Sequence, residues 1–255
     1  MRIVIKIGTS TLAHSTGLLN IKRVEEMCKV ISDLKNAGHE IVMVSSGAIG
    51  MGLGKLGIRK RPDDIPTKQA AAAIGQCELM YTYDMLFSKY NHTVAQILLT
   101  GSFVTIGDYR QNLHNTLGRL LELGTIPIIN ENDTVSTDEI VIGDNDTLAA
   151  TVAMEVKADL LVLLSDIDGF YTGDPHKDEN AQLISVITEV TPEIEQLAGK
   201  KGTSLGTGGM ITKIRAAKTV METGMNMVIA NGKDPDILYD IVEGGGVCTR
   251  FMGKK

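Results

Sequence analysis

Asp159-Leu160-Leu161-Val162-Leu163-Leu164 is an almost entirely apolar stretch that changes abruptly to the polar segment Ser165-Asp166-Ile167-Asp168-Gly169. A continuous apolar run of this length is typical of a strand that is buried on both faces, as the central strands of parallel sheets are. The polar residues that follow indicate where the strand leaves the core. The stretch therefore predicts the middle of a parallel sheet, with a polar loop at its carboxyl end.

On both sides of this stretch, strand-like and helix-like segments alternate along the chain. Asn20 is a candidate N-cap for a helix whose apolar stripe ends at Leu34, and Gly38 is its candidate stop signal. The predicted strands cover residues 3–7, 40–44, 93–99, 125–129, 159–164, 225–230 and 247–251, and the predicted helices cover residues 21–34, 68–90, 111–124, 144–157, 214–224 and 235–243. This alternation predicts an α/β fold, a three-layer αβα sandwich with a mainly parallel open central sheet. Because no linker divides the chain, we expect a single domain over residues 1–255.

The composition argues against several classes of function. A net charge of -6 and a pI near 5.4 do not suit a general binder of nucleic acid or of anionic membranes, which depends on an excess of cations. Three widely spaced cysteines, no signal-peptide segment and only strand-sized apolar runs predict a protein of the reducing cytoplasm. The five histidines show no metal-ligand spacing, so the sequence identifies no metal ligands.

A glycine-rich segment, Gly206-Thr207-Gly208-Gly209-Met210-Ile211-Thr212-Lys213, precedes a predicted helix and ends in a cation. Helix N-termini carry a partial positive charge and normally attract Asp or Glu, but here the first charged residues are Lys213, Arg215 and Lys218. Backbone N–H groups, glycines that allow close approach and cations together favour an anion site, most simply for phosphate. A flexible loop before a solvated basic face is the alternative, and we prefer it for Arg215 and Lys218 taken alone.

Ligands of parallel sheets bind beyond the carboxyl ends of the strands, and four such ends are polar in this chain. Besides residues 165–169, they are Lys6-Ile7-Gly8-Thr9-Ser10, Ser45-Ser46-Gly47-Ala48 and Asn130-Glu131-Asn132-Asp133. Lys6 alone is most simply a snorkelling or ion-paired lysine, but two lysines at loop mouths could neutralise a phosphoryl group during transfer. Asp146 is left over after helix capping by its neighbours, and it could hold both lysines in position. Asp133 is either a turn residue or an acceptor for a substrate amine, and its polar surroundings favour the second.

Two further patterns match known motifs only in part. Gly52-Leu53-Gly54-Lys55-Leu56-Gly57 fits the dinucleotide pattern G-x-G-x-x-G, but it lies several residues past its strand and no second strand ending in an acid follows. We interpret it as a mobile loop on the substrate side. The segment 166–169 suggests a metal loop, but Phe170 stands where an EF-hand needs a third oxygen ligand, so Asp168-Gly169 is interpreted as a turn.

Six segments together resemble the amino acid kinase superfamily and, within it, the glutamate 5-kinase family. The nucleotide loop shared across the superfamily is matched by residues 164–172 with Asp174-Pro175. The narrower family is indicated by residues 5–10, 44–49, 129–133, 143–146 and 206–213, which occur in the expected order. Aspartokinases, acetylglutamate kinases and uridylate kinases tend instead to carry Gly-Gly-rich versions of the first two loops.

This resemblance implies a carbamate kinase-like fold and transfer of the ATP γ-phosphoryl group to the side-chain carboxylate of L-glutamate, the first step toward proline, with Mg²⁺ bridging the ATP phosphates. It implies that Lys6 and Lys213 flank the phosphoryl group and that Asp146 organises them. Glutamate would be held by Ser46, Asp133 and Asn145, and ATP by Lys6, Ser165, Asp166, Thr207, Gly208, Gly209, Met210, Ile211, Thr212 and Lys213. Because a carboxylate is already ionised at neutral pH, no general base is expected, and catalysis would be alignment with charge neutralisation.

Regulation and assembly are further expectations from the same resemblance. Many bacterial members carry a C-terminal PUA domain, which we do not expect here because the sequence ends at Lys255. We expect a homo-oligomer with no nucleic-acid or membrane partner, inhibited by proline at a site that overlaps glutamate and is covered by residues 50–66. The alternatives are an acyl-phosphate kinase of the same fold that acts on aspartate, acetylglutamate or carbamate, and an inert amino-acid sensor. The presence of both lysines argues against the sensor.

Overall fold

A computed structural model of the chain describes residues 1–14, 16, 18–101, 107–136, 145–175, 177–199 and 209–254. The strands are β1 (Arg2–Ile7), β2 (Glu40–Ser45), β3 (Val94–Leu99), β4 (Ile126–Glu131), β5 (Leu160–Ser165), β6 (Val186–Ile187), β7 (Asn226–Asn231) and β8 (Cys248–Phe251). The helices are α1 (Thr9–Leu12), α2 (Ile21–Asn36), α3 (Ala48–Lys55), α4 (Ile65–Ser88), α5 (Gly107–Glu122), α6 (Asn145–Glu155), α7 (Pro192–Gly199), α8 (Met210–Glu222) and α9 (Ile237–Val242).

The strands form one sheet in the order β3-β4-β2-β1-β5-β7-β8-β6. Every described pair of strands is parallel except β7 with β8. The apolar stretch that predicted the sheet is β5, which lies between β1 and β7 and is buried along its whole length. Burial on both faces explains why its side chains do not alternate in polarity.

Helices cover both faces of the sheet and enclose two separate cores. Ile3, Ile5 and Ile7 of β1 pack in the core shared with α2, α4 and α9. Val4, which points to the opposite face, packs in the core shared with α5, α6 and α8. The predicted three-layer αβα sandwich with a mainly parallel sheet is therefore confirmed. No helix in the described part of the chain combines the length and the apolar character needed to cross a bilayer.

Local capping signals account for several helix boundaries. The Asn20 side chain accepts a hydrogen bond from Arg23 N at 3.2 Å, and Gly38 adopts φ +95° after α2, so both predicted boundary residues are confirmed. The α4 helix starts three residues before the predicted position, because the Asp64 side chain caps it by accepting from Thr67 N at 2.8 Å. The short elements α1, α7 and β6 were not predicted from the sequence.

The glycine-rich segment after β2 is helical over residues 48–55, so the interpretation of residues 52–57 as a mobile loop is wrong for residues 52–55, and the predicted cover over residues 50–66 is a loop only in part. Helix α3 occupies its first part and α4 its last residues, which leaves residues 56–64 as the connection. A Cβ atom on Gly52 would lie 1.8 Å from the carbonyl oxygen of Ala71, and one on Gly75 would lie 1.7 Å from that of Ala48. These glycines serve close contact between the backbones of α3 and α4, a use that local pattern does not separate from a hinge.

Candidate active site

The polar segments at the strand ends lie side by side along the carboxyl edge of the sheet. In the strand order β4-β2-β1-β5, these strands and the residues directly after them carry Asp133, Ser46, Lys6 and Ser165 in turn. Helix α6 approaches the same edge with Asn145 and Asp146 in its first turn. The structure therefore brings together residues that are distributed over most of the sequence.

Asp146 forms ion pairs with both lysines that the sequence singled out. Its Oδ1 lies 2.9 Å from Lys6 Nζ, and its Oδ2 lies 2.9 Å from Lys213 Nζ. The side chains are buried, with 1% of Asp146, 10% of Lys6 and 7% of Lys213 exposed. Lys6 reaches this position because it faces the α6 side of the sheet, opposite the three isoleucines of β1. The Asp146 carboxylate therefore binds one ammonium group through each of its two oxygens.

The cluster has an excess of positive charge. Burial alone would raise the pKa of Asp146, but Lys6 and Lys213 together outweigh it through charge and hydrogen bonding, and they hold the pKa of this carboxyl well below its usual range. Asp146 is therefore ionised at neutral pH. Within this group of three side chains, two ammonium groups face one carboxylate, and such a positive group at the sheet edge can attract an anion.

The first turn of α8 connects this cluster to the glycine-rich segment. Thr212 Oγ1 lies 2.8 Å from Asp146 Oδ2 and 2.7 Å from the carbonyl oxygen of Gly209. The N-cap residue of α8 is Gly209, which has no side chain to cap the helix, and its first turn contains no acid, so its backbone N–H groups are suited to an anion. Of the predicted phosphate segment, Gly209 to Lys213 are described, whereas Thr207 and Gly208 lie outside the described residues.

The other residue of the α6 turn, Asn145, faces the end of β2. Its two Nδ2 hydrogens are shared among three acceptors: the Ser45 carbonyl oxygen at 2.9 Å, Ser46 Oγ at 2.9 Å and Asn130 Oδ1 at 3.0 Å. These acceptors fix the orientation of the amide, because a reversed amide would place its oxygen against two other oxygens that can only accept. Ser46 Oγ accepts in this arrangement, so its own hydroxyl hydrogen is available to donate to a carboxylate.

Two buried acceptors on this side lack a hydrogen-bond partner among the described residues. They are Oδ1 of Asn145 and Oδ1 of Asp133, whose residues are 3% and 5% exposed. Burial and the neighbouring Glu131 carboxylate raise the pKa of Asp133 to about 6. An unsatisfied buried acceptor is destabilising unless a donor reaches it. An ammonium group of a ligand, with three N–H donors, is a suitable partner for acceptors of this kind.

The end of β5 forms a separate polar group beside Lys6. Ser165 Oγ donates to Asp166 Oδ1 at 3.2 Å, and Asp166 itself is exposed. Asp168 accepts from Asn231 Nδ2 at 2.8 Å and from the Tyr171 hydroxyl at 3.0 Å, so its oxygens serve the turn, which agrees with the turn interpretation. Within the described ranges, no three His, Cys, Asp or Glu side chains are grouped as metal ligands would be.

Sequence reasoning missed two residues that are linked to Asn145 by hydrogen bonds. Asn130 links Asn145 to Gln76, since its Nδ2 donates to Gln76 Oε1 at 2.8 Å. Asn130 belongs to the polar segment at the end of β4, and this segment could have indicated Asn130 as a site residue. Gln76 lies in the interior of an alanine-rich helix, where nothing in the local pattern marks it.

The sequence matches the model of the amino acid kinase family over residues 1–231. It is 50% identical to the glutamate 5-kinase of Clostridium perfringens over 258 aligned residues, which cover 100% of this chain and 96% of that relative. It is also 50% identical to the glutamate 5-kinases of Listeria innocua, with 94% of the relative covered, and of Clostridium acetobutylicum, with 95% covered.

Two solved structures share the fold. Carbamate kinase from Giardia lamblia bound to AMP-PNP superposes with a TM-score of 0.71 at 16% identity, covering 99% of this chain and 98% of that one. UMP kinase from Ureaplasma parvum superposes with a TM-score of 0.63 at 16% identity, covering 98% of each chain. At this identity the likeness concerns the fold alone, and it agrees with the carbamate kinase-like architecture expected from the sequence.

Proposed function

The chain belongs to the amino acid kinase family, and we propose that it acts as an ATP-dependent glutamate 5-kinase. It transfers the γ-phosphoryl group of ATP to the side-chain carboxylate of L-glutamate and forms γ-glutamyl phosphate, the first step of proline biosynthesis. The single observation that carries the proposal is the buried arrangement of Lys6, Asp146 and Lys213, with Asn145 next to Asp146 in the same helical turn.

The two lysines stabilise the charge of the phosphoryl group in transfer. The Lys6 ammonium has N–H donors beyond the one that faces Asp146, and these can contact phosphate oxygens, while Lys213 places a second positive charge at the same carboxylate. Because Asp146 already fixes both groups, little reorganisation is needed when charge develops in the transition state. The attacking oxygen of glutamate is ionised at neutral pH, so the reaction depends on alignment and charge neutralisation rather than on proton abstraction.

Glutamate is bound on the β2 and β4 side of this cluster. Its ammonium group satisfies the unpaired oxygens of Asp133 and Asn145, and its α-carboxylate accepts from the Ser46 hydroxyl. Asn145 and Asp146 are consecutive in one helical turn, and 3.6 residues per turn point their side chains in different directions. One turn of α6 therefore sets the position of glutamate relative to the two lysines.

ATP lies along the ends of β1 and β5 and against the first turn of α8, where Lys6, Ser165, Asp166 and residues 209–213 contact it. We assign no protein ligand to Mg²⁺. Both oxygens of Asp146, the carboxylate nearest the lysines, face ammonium groups, and the described residues offer no cluster of ligands. The described residues therefore do not fit a dedicated metal site, which agrees with the tendency of Mg²⁺ to be coordinated by substrate phosphates and water.

ADP release by the purified protein tests the proposed function. It is measured with ATP, MgCl₂ and either L-glutamate, L-aspartate, N-acetylglutamate, carbamate or UMP. We expect release with glutamate only, together with an acyl phosphate that hydroxylamine traps as the γ-hydroxamate. ADP release with another acceptor and not with glutamate would show that the protein is a different kinase of the same fold. No ADP release with any acceptor would favour the inert amino-acid sensor. The cytoplasmic location, the homo-oligomer and the inhibition by proline stay predictions.

A further inference from the structure

Helix α4 contacts the end of β4, next to the proposed glutamate site, through a side chain that the mechanism above does not use. Gln76 Oε1 accepts a hydrogen bond from Asn130 Nδ2 at 2.8 Å. Both side chains are buried, with 8% of Gln76 and 2% of Asn130 exposed, so water does not compete freely for this contact.

Asn130 is the branch point of the network that holds Asn145. Its Oδ1 accepts from the backbone N–H of Glu131 at 2.9 Å and from Asn145 Nδ2 at 3.0 Å. Because both of these partners are donors, the oxygen of the Asn130 amide must face them and its Nδ2 must face Gln76. An acceptor at position 76 therefore favours the one orientation of Asn130 that also supports Asn145.

The backbone at Gln76 is fixed by the residue that precedes it. A Cβ atom on Gly75 would lie 1.7 Å from the Ala48 carbonyl oxygen and 2.5 Å from the Gly52 nitrogen, so α4 touches α3 directly at this point. Helix α3 starts two residues after Ser46. One turn of α4 thus contacts the segment after β2 through its backbone and the end of β4 through the Gln76 side chain.

We propose that Gln76 is a positioning residue for glutamate. It holds the Asn130 amide, which holds Asn145 so that Oδ1 of Asn145 stays available to the substrate ammonium. This inference rests on the proposed glutamate kinase activity and deepens it. Gln76 acts through its neighbours, so its removal should affect the binding of glutamate rather than the chemical step or ATP.

The test compares two substitutions that differ in the acceptor. Gln76→Met keeps an unbranched side chain but leaves the buried Asn130 Nδ2 without its partner, and we expect KM for glutamate to rise about tenfold. We expect kcat and KM for ATP to stay within about threefold of wild type. Gln76→Glu retains an acceptor oxygen and should recover most of the lost affinity. Gln196→Met, on the exposed surface of α7, is the matched control and should have wild-type constants.

A double-mutant cycle shows whether Gln76 acts through Asn130. On an Asn130→Ala background, Gln76→Met should raise KM for glutamate by less than about twofold more, because the contact is already lost. A wild-type KM in Gln76→Met, equal damage in Gln76→Met and Gln76→Glu, or full additivity with Asn130→Ala would each overturn the inference. These outcomes presuppose a wild-type enzyme that turns over glutamate. A wild-type protein without that activity would instead refute the proposed function.

Discussion

At the residue scale, the two lysines at Asp146 are expected to act on the chemical step. Lys6→Ala and Lys213→Ala should each lower kcat by roughly 10²–10³, or about 3 kcal/mol, because each removes one preorganised charge beside the phosphoryl group. KM for ATP should change far less. Lys218→Ala is the control. Lys218 lies on the exposed side of α8, the helix that carries Lys213, and it pairs with Glu195 of α7. Near-normal kcat in either active-site variant at saturating substrates would remove that lysine from the mechanism.

Asp133 gives the reaction a predicted dependence on pH. Its pKa of about 6 means that the carboxyl loses its negative charge as the pH falls through 6, while the ammonium of glutamate stays charged. We therefore expect kcat/KM for glutamate to decrease below about pH 6, with little change in KM for ATP.

Asp133→Ala provides the matched comparison for this pH profile. The variant should have a raised KM for glutamate at pH 7.5, since it lacks the charge that pairs with the ammonium in both ground and transition states. In this variant, kcat/KM for glutamate should no longer decrease as the pH falls through about 6. An unchanged glutamate KM would return Asp133 to the role of a turn residue, and a decrease that persists in the variant would assign the titration to another group.

At the scale of elements, the contact between α3 and α4 is expected to set the glutamate site. Gly75→Ala places a methyl group where only 1.7 Å separates it from the Ala48 carbonyl oxygen, so the helices must move apart near Ser46. We expect a lower Tm and a raised KM for glutamate. Gly118→Ala is the control, because a Cβ there meets nothing within 4 Å and α5 gains helix propensity. Glutamate affinity that is normal in Gly75→Ala would show that α3 does not position the site.

The elements also show why local patterns succeed in some segments and fail in others. The N-caps at Asn20 and Asp64 bond backbone N–H groups three residues away, so the information lies within one turn. The glycines of α3 match the pattern of a loop, yet they serve a contact with Ala71, which is distant in sequence. That distinction depends on a partner helix, and no window of local sequence contains it.

At the scale of the whole molecule, we predict that proline inhibits the 255-residue chain in competition with glutamate. Proline shares the α-amino and α-carboxylate groups of glutamate, and the residues proposed to bind them are Ser46, Asp133 and Asn145. Raising glutamate should relieve the inhibition. Substitutions of the exposed cations Arg59, Lys60 and Arg61, in the connection between α3 and α4, should weaken it without altering KM for ATP. Millimolar proline without effect at sub-saturating glutamate would contradict the prediction.

The sequence by itself determined the class of fold and the edge of the sheet where the site lies. Apolar runs of strand length alternate with helical periodicity, and parallel strands bring their polar carboxyl ends to one edge, so Lys6, Ser46, Asp133 and Ser165 could be predicted to lie at the same edge of the sheet. The anion-binding character of the segment before α8 was also visible, because a helix N-terminus with glycines and cations is a local feature.

The sequence suggested that Asp146 holds both lysines, but only the tertiary structure decided the geometry of that contact and the pairing of Asn130 with Gln76. Lys213 and Asp146 are 67 residues apart in sequence, and Asn130 and Gln76 are 54 apart, so their contacts depend on how layers pack rather than on any local pattern. The same packing excludes water from Asp133 and places Glu131 beside it, which raises its pKa. Burial strengthens electrostatic interactions and makes unpaired polar groups costly, and burial is a property of the folded chain as a whole.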